Sequence, residues 1–393
     1  MPGENHPPEL SSSAVAPEPH ALRELSALFL RLGLTAFGGP AAHIAMMEDE
    51  VVRRRRWLTH SEFLDLLGLT NLIPGPNSTE LAIHIGQQRA GFRGLLVAGS
   101  AFILPAAAMT GALGWAYVHY GAQPSMRGLL YGIKPVMIAV VMQALLGLAP
   151  KAVKNRSLRV IGLSCLVAAM MGVNELVCLA FAGLAEWVIR QRISAPPLLF
   201  GGAASGAMAA GSAKVVVAPF SLPALFLVFA KIGSVLFGSG YVLLAFLRSD
   251  FVEHRHWLSE AQLLDAIAVG QVTPGPVFTT ATFIGYLLAG PAGAVCATLG
   301  IFLPAFVFVA ISSLLLPKIR RSAALGAVLD GVNVASLALM AVVTFQLCRA
   351  ALVDLPSVAL AVVSAVLLLR FKLNSTWLIA LGAVVGVAYR GLR

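Results

Sequence analysis

Apolar runs separated by short polar loops cover the chain from residue 24 onward. They predict membrane-crossing helices at 24–47, 95–118, 128–149, 157–172 and 174–190, then at 222–247, 294–316, 325–348, 355–370 and 374–390. Several runs reach the roughly 20 residues that a helix needs to cross the hydrocarbon of a bilayer. A different pattern follows the first run of each set. Residues 59–73 and 76–90 are each too short to span about 30 Å at 1.5 Å per residue, and Pro74-Gly75-Pro76 separates them. Residues 259–273 and 276–289 repeat the arrangement around Pro274-Gly275-Pro276. Both places predict two half-helices meeting at a break. Thr59 with Glu62, and Ser259 with Gln262, fit the capping box that starts a helix.

The two sets are copies. Residues 29–79 align with 229–279 without a gap, and fifteen of the 51 positions are identical, including Gly38/Gly238, Trp57/Trp257, Asp65/Asp265 and both PGP triplets. Beyond a one-residue deletion, Gly86/Gly285, Gly91/Gly290, Gly94/Gly293, Pro105/Pro304 and Gly132/Gly331 still match. Greasy helices that merely resemble one another do not share Trp, Asp and PGP in register. The reading is a tandem duplication: a disordered polar tail (1–22), a first repeat (23–193), a Gly/Ala-rich linker (194–220) and a second repeat (221–393).

Composition agrees with a membrane protein. Hydrophobic residues make up 58% of the chain and charged ones 12%, against about 25% charged in soluble domains. The net charge of +10 is spread through short loops, which excludes a nucleic-acid-binding domain. With Arg53–Arg56 placed in the cytoplasm, eighteen loop Lys and Arg fall inside and seven outside, a positive-inside bias. Five spans per half, an odd number, turn the second half over relative to the first and put both termini outside. The N-terminus lacks the pattern of a cleaved signal peptide. The four cysteines have no metal or redox spacing, and no cofactor is expected. The fold class is therefore an all-α polytopic membrane protein, an inverted-topology tandem repeat with broken, re-entrant half-helices at the PGP motifs.

Chemistry is expected at the breaks. A helix start leaves backbone N–H groups unpaired and carries positive dipole charge, and proline suits its first turn. Within a membrane such a start is a preformed anion site. Pro74, Gly75, Pro76, Pro274, Gly275 and Pro276 form the breaks, and Asn77, Ser78, Thr79 and Thr279 add side-chain donors. Phe37-Gly38-Gly39-Pro40, matched by Phe237-Gly238-Ser239-Gly240, either lets helices pack closely or unwinds a span to face substrate. Arg31, matched by Lys231, either faces the anion or snorkels to the interface. Asp65 and Asp265 either carry a proton, pair with Arg31 and Lys231, or favour the positive start of their helix. Glu80, replaced by Thr280 in the second half, is a candidate for a single proton-coupling carboxylate. Lys134, opposite Asn333 in the repeat, is expected to snorkel. His43, His84 and His119 are expected to be ordinary histidines, and Glu186 with Arg190 a surface pair.

Phe37-Gly38-Gly39-Pro40, the acidic-to-basic stretch through Arg56-Trp57-Leu58, and Pro74-Gly75-Pro76 resemble the chromate ion transporter family, in its long, two-domain form. The resemblance implies export of chromate from the bacterial cytoplasm across the inner membrane, chromate resistance, and energy from the membrane potential or proton gradient. It also marks Gly38, Gly39, Pro40, Pro74, Gly75 and Pro76 as functional. Ser239-Gly240 departs from the pattern, which predicts an asymmetric second half. The expected partners are the oxyanion and the lipid bilayer, with room for a homodimer and no nucleic acid. Sulfate or another tetrahedral anion, carried by a transporter or channel, is the alternative. An intramembrane enzyme is disfavoured because HExxH and GxSxG motifs are missing.

Overall fold

The computed structural model describes residues 19–37, 39–121, 123–194, 220–237, 242–319, 323–371, 373 and 375–391. The N-terminal tail and the linker expected at 194–220 lie almost entirely outside this set. The described residues form helices and turns, with no strand among them. The first half contains α1 (Pro19–Thr35), α2 (Gly39–Glu48), α3 (His60–Thr70), α4 (Asn77–Tyr120), α5 (Pro124–Ala152), α6 (Arg156–Met170) and α7 (Glu175–Ser194). The second half matches it element for element: α8 (Leu222–Val235), α9 (Leu243–Leu247), α10 (Glu260–Val272), α11 (Thr280–Ile319), α12 (Ala323–Ala351), α13 (Leu355–Phe371) and α14 (Ser375–Gly391). Among the described residues, four helical stretches are long and apolar enough to cross a membrane: Asn77–Tyr120, Gly128–Ala152, Val277–Ser312 and Ala324–Ala351.

The spans expected at 24–47 and 222–247 are each two helices. In the first, α1 stops at Thr35 and α2 starts at Gly39, whose φ is +77°. Pro40 explains the stop. It has no N–H to give, and its ring would strike the carbonyl of Ala36 if the helix ran on. Both capping boxes are formed: Thr59 Oγ1 accepts the Glu62 N–H (3.2 Å) and the Glu62 carboxylate accepts the Thr59 N–H (2.7 Å). Ser259 and Gln262 repeat the exchange at 3.2 and 2.9 Å. Trp57 lies between the guanidinium groups of Arg55 and Arg89, 5.1 and 5.2 Å from its ring centre.

The helix after each PGP triplet is a separate arm, as its length predicted. Ala90 (φ −147°, ψ 29°) and Gly91 (φ 58°, ψ −148°) break α4 into a short arm, 77–89, and a long arm, 92–120. Ala289 (φ −149°, ψ 29°) and Gly290 (φ 59°, ψ −149°) break α11 in the same way. Only glycine adopts the second conformation of each pair without strain. A methyl on Gly86 would collide with the Gly94 carbonyl, and one on Gly285 with that of Gly293. Residues eight apart in one continuous helix stand about 12 Å from each other, so the arms fold back as a hairpin.

The halves interlock. Helix α5 packs against α13 and α14, α12 packs against α6 and α7, and α4 packs against α11. Glycines set the closest approaches, as they do between helices in membranes: Gly132 has no room for a methyl beside Gly382, nor Gly331 beside Ala182. Polar ties are reciprocal. Tyr131 on α5 donates to Asp354 (2.6 Å), and Lys154, before α6, donates to Asp330 on α12 (2.7 Å), where Arg190 also bonds. Outward faces of α6, α7, α13 and α14 expose Val160, Leu163, Phe181, Leu184, Val362 and Val384. A water-soluble protein does not display such a belt of apolar side chains.

Candidate functional site

The breaks of one half meet those of the other. Gly75 donates its N–H to the carbonyl of Leu236, at the end of α8 (2.7 Å), and Gly275 donates to the carbonyl of Ala36, at the end of α1 (2.9 Å). His43 adds a second contact on the Ala36 oxygen through Nε2 (3.0 Å) and reaches Ser78 Oγ through Nδ1 (3.3 Å). The amides of Gly75 and Gly275 are therefore occupied, which corrects the expectation that they cradle an anion. The amides of Thr79 and Glu80 already bond Pro76 O, at 2.7 and 3.0 Å. Helix geometry leaves Asn77 and Ser78 as the amides without an intrahelical acceptor. In the second half, buried Val277 and Phe278 fill the corresponding place. Thr279 is turned inward, with Oγ1 3.2 Å from that of Thr110 on the long arm of α4. The second break is thus filled by apolar and hydroxyl side chains, while Ser239 and Gly240, where its sequence departs from the first, lie outside the described residues. Gly38 and Gly238 lie outside the described residues.

A cavity of about 530 Å³ opens beside the first break. Pro40 and Ile44 of α2 line it together with Asn71 and Asn77 on either side of PGP. Helix α5 contributes Gln143 and Lys151, and α12 contributes Asn333 and Ser336. Asn77 Nδ2 donates to Asn71 Oδ1 (2.8 Å), while Asn77 Oδ1 and Ser336 Oγ have no partner. The wall thus carries amide and hydroxyl groups and one ammonium, with no carboxylate. That set favours an anion. Among the described residues no cluster of three His, Cys, Asp or Glu could hold a metal. A larger cleft of about 860 Å³ between α8 and α11 is walled by Leu222, Phe226, Leu227, Val295 and Leu299, and is a lipid-facing groove.

Arg31 and Lys231 are each held in an ion pair. Arg31 pairs with Glu50 (2.6 Å) and Lys231 with Asp250 (2.6 Å), and Arg55 and Arg255 join the same carboxylates at 3.3 and 3.1 Å. Burial pushes the Glu50 carboxyl up, but hydrogen bonds from Arg31 and Arg55 and the charges of Arg31 and Arg54 hold it below the ordinary carboxylate range. Glu50 and Asp250 were legible as acids at the same 200-residue offset, but they are not identical and so escape a count of identities. Asp65 is exposed on α3.

Asp265 is buried and takes a hydrogen bond from Tyr117 Oη (2.8 Å). Lys134 Nζ lies 2.9 Å from its other oxygen, at ion-pair distance though not aligned as a hydrogen bond. Lys134 is therefore an ion-pair partner and not a snorkelling side chain. This trio sits in a second cavity of about 370 Å³ with Ala350 and Ala351. Those positions are the repeat counterparts of the larger cavity, with Lys134 for Asn333, Ala350 for Lys151 and Ala351 for Ala152. Glu186, expected at the surface with Arg190, bonds it at 2.9 Å but is fully buried, beside Ser157 (2.7 Å). Glu80 and His84 are buried on the short arm of α4, and both Glu80 oxygens and His84 Nε2 lack partners. His43 spans two chain breaks, so its role is more specific than that of an ordinary interior histidine.

The sequence matches the chromate transporter family twice, over residues 23–189 and 223–387. It is 35% identical to the chromate transport protein of Cupriavidus metallidurans over 380 residues, 94% of each chain. It is 34% identical to that of Pseudomonas aeruginosa over 358 residues, 88% of this chain and 86% of the other. A probable chromate transport protein of Synechococcus elongatus is 30% identical over 383 residues, 94% of this chain and 96% of the other. No solved structure matches the chain.

Proposed function

The chain belongs to the chromate transporter family, and from that premise we propose that it exports chromate from the bacterial cytoplasm across the inner membrane, conferring chromate resistance. One observation carries the reading: a polar cavity at the start of the α4 short arm whose described lining holds a single ammonium and no carboxylate. Asn77, Asn71, Asn333, Ser336 and Lys151 bind the dianion, and the free amides of Asn77 and Ser78 add the positive end of a helix. Families of this kind move solutes and catalyse no covalent reaction, so no catalytic residue is assigned.

The positive-inside rule puts Lys151 and Lys154 at the cytoplasmic face, so this cavity loads from the cytoplasm. The inverted repeat puts its counterpart, closed by Lys134, Asp265 and Tyr117, at the opposite face. The PGP half-helices enter the membrane without crossing it and meet at the midplane. Rocking of the interlocked halves opens one cavity as it closes the other. A membrane potential negative inside favours outward movement of a dianion by about 2.3 kcal/mol per charge for each 100 mV, and a proton gradient is the second candidate drive.

Inverted membrane vesicles test the reading. Vesicles carrying the protein are expected to accumulate chromate saturably when a potential or pH gradient is imposed, and control vesicles not to. Amides and hydroxyls distinguish tetrahedral dianions poorly, so sulfate is expected to compete. Full inhibition by sulfate at lower concentration than chromate would move the assignment to sulfate. Non-saturable flux would make the protein a channel.

A further inference from the structure

The short arm of α4 carries a polar stripe of which the anion site uses only Asn77. Asn77, Glu80, His84 and Gln87 recur three to four residues apart, so they share one helix face. Glu80 is fully buried and His84 is 3% exposed. Neither Glu80 oxygen has a hydrogen-bond partner, and no ion pair reaches Glu80 among the described residues. The carboxyl lies directly against the α-carbon of Gly75, where Ala305 of α11 also packs. Apolar Ile73, Ile83 and Val309 surround this point. The titratable group that a neighbouring element brings to this turn of α4 is His43 of α2, which bonds Ser78, two residues before Glu80. Among the described residues, helices α3 and α11 and the long arm of α4 bring no charged group into an ion pair with it, and Asp65 is exposed on α3. The second half has no such stripe, with Thr280 for Glu80 and apolar Phe283 and Ile284 in the region of His84.

An unpaired carboxylate in such a place is strongly disfavoured unless something positive compensates it. In the empty transporter the start of α4 offsets part of that cost, because a negative side chain in the first turn is stabilised by the helix dipole. A dianion at Asn77 and Ser78 takes over that same positive end, and two negative groups so close cannot both stay ionised. We propose that Glu80 is a proton site that loads together with the anion, with His84 as its relay. The transferred proton comes from solution, passes to His84 Nε2, and moves to a Glu80 oxygen, leaving a neutral carboxylic acid and a neutral imidazole. Chromate and the proton then travel in the same direction, so export moves one net negative charge. The membrane potential drives that movement and an inward proton gradient opposes it, which selects the potential over the proton gradient as the drive. The proposal rests on the anion site assigned above and adds its coupling chemistry.

Calorimetry on the purified protein tests it, with chromate as the probe in mildly alkaline buffers of differing ionisation enthalpy, where dissolved chromate is a dianion. The wild type is expected to take up about one proton per chromate bound. Glu80→Gln and Glu80→Thr, the second borrowing the residue of the other half, are expected to bind chromate with no proton uptake. His84→Phe is expected to keep the stoichiometry but slow proton uptake by about a hundredfold in stopped-flow with a pH dye. Unchanged proton uptake in both Glu80 variants would overturn the proposal and leave the anion site standing. So would loss of chromate binding in both while they still elute as monodisperse, folded protein, since a neutral side chain mimics the loaded state. No binding by the wild type would instead remove the anion site itself.

Discussion

Gly75 gives its backbone N–H to Leu236 O at 2.7 Å, and Gly275 returns the exchange to Ala36 O at 2.9 Å. Each half thus closes the broken first helix of the other. The two glycines differ in what surrounds them. At Gly275, with φ +86°, a methyl would lie 2.6 Å from Ala106 Cβ and 3.0 Å from Gly33 O, both fixed by packing. At Gly75, with φ +143°, a methyl would meet the movable end of Glu80. Gly275→Ala is therefore expected to lower stability by about 3 kcal/mol, and Gly75→Ala by less. Thermal unfolding of both variants in detergent checks the order. Equal melting temperatures would show that the second break is not the tighter one.

Among the described residues, Lys151 is the only cation lining the 530 Å³ cavity. Removing it leaves amides and hydroxyls, which still bind an anion but without a net charge. Lys151→Ala is expected to raise KM for chromate about tenfold with kcat less affected. Lys151→Arg should retain most of the affinity. Initial rates in inverted vesicles at low and high salt measure this, and the wild-type rate should show the stronger salt dependence.

Arg31 and Lys231 invite the opposite expectation. Both are held by carboxylates, Glu50 and Asp250, that they share with Arg55 and Arg255, and Arg31 stays about half exposed. The double variant Arg31→Ala, Lys231→Ala is expected to keep KM for chromate within about twofold and to lose about 1 kcal/mol of stability per site, as partly exposed ion pairs do. Paired transport and melting measurements decide it. A lost transport signal at normal expression would return these residues to the anion path.

The sequence-level reading and the structure part company for definable reasons. The duplication, the capping boxes at Thr59 and Ser259 and the separate half-helices were legible because each depends on local spacing. The break between α1 and α2 was half legible, since Gly39-Pro40 signals a stop but the apolar run continues through it. Pairings were not legible. Arg31 meets Glu50 across a helix end, and Asp265 meets Lys134 from another element. The cavity draws on Asn71, Gln143, Asn333 and Ser336, lone polar residues in apolar runs whose convergence depends on how α5 and α12 interlock with the opposite half. Matched identities find what the halves share, whereas the cavity is built from what they do not.

The difference is sharpest at Lys134. Its repeat counterpart is Asn333, which lines the larger cavity, while Lys134 lines the smaller one and pairs there with Asp265. Asp265 is 4% exposed, and its remaining partner is Tyr117. Lys134→Ala leaves that carboxylate buried with one neutral donor, and breaking a buried pair from one side costs about 3–5 kcal/mol. The double variant Lys134→Asn, Asp265→Asn removes both charges and gives this mouth the amide found in the other. It is expected to melt well above the single variant and close to the wild type. If this mouth is the closed gate, the double variant should also raise the reactivity of a cysteine placed at Ala350 toward a water-soluble thiol reagent, in a background with the four native cysteines replaced. A double variant no more stable than Lys134→Ala, with Ala350 still shielded, would show that the pair contributes packing and not closure.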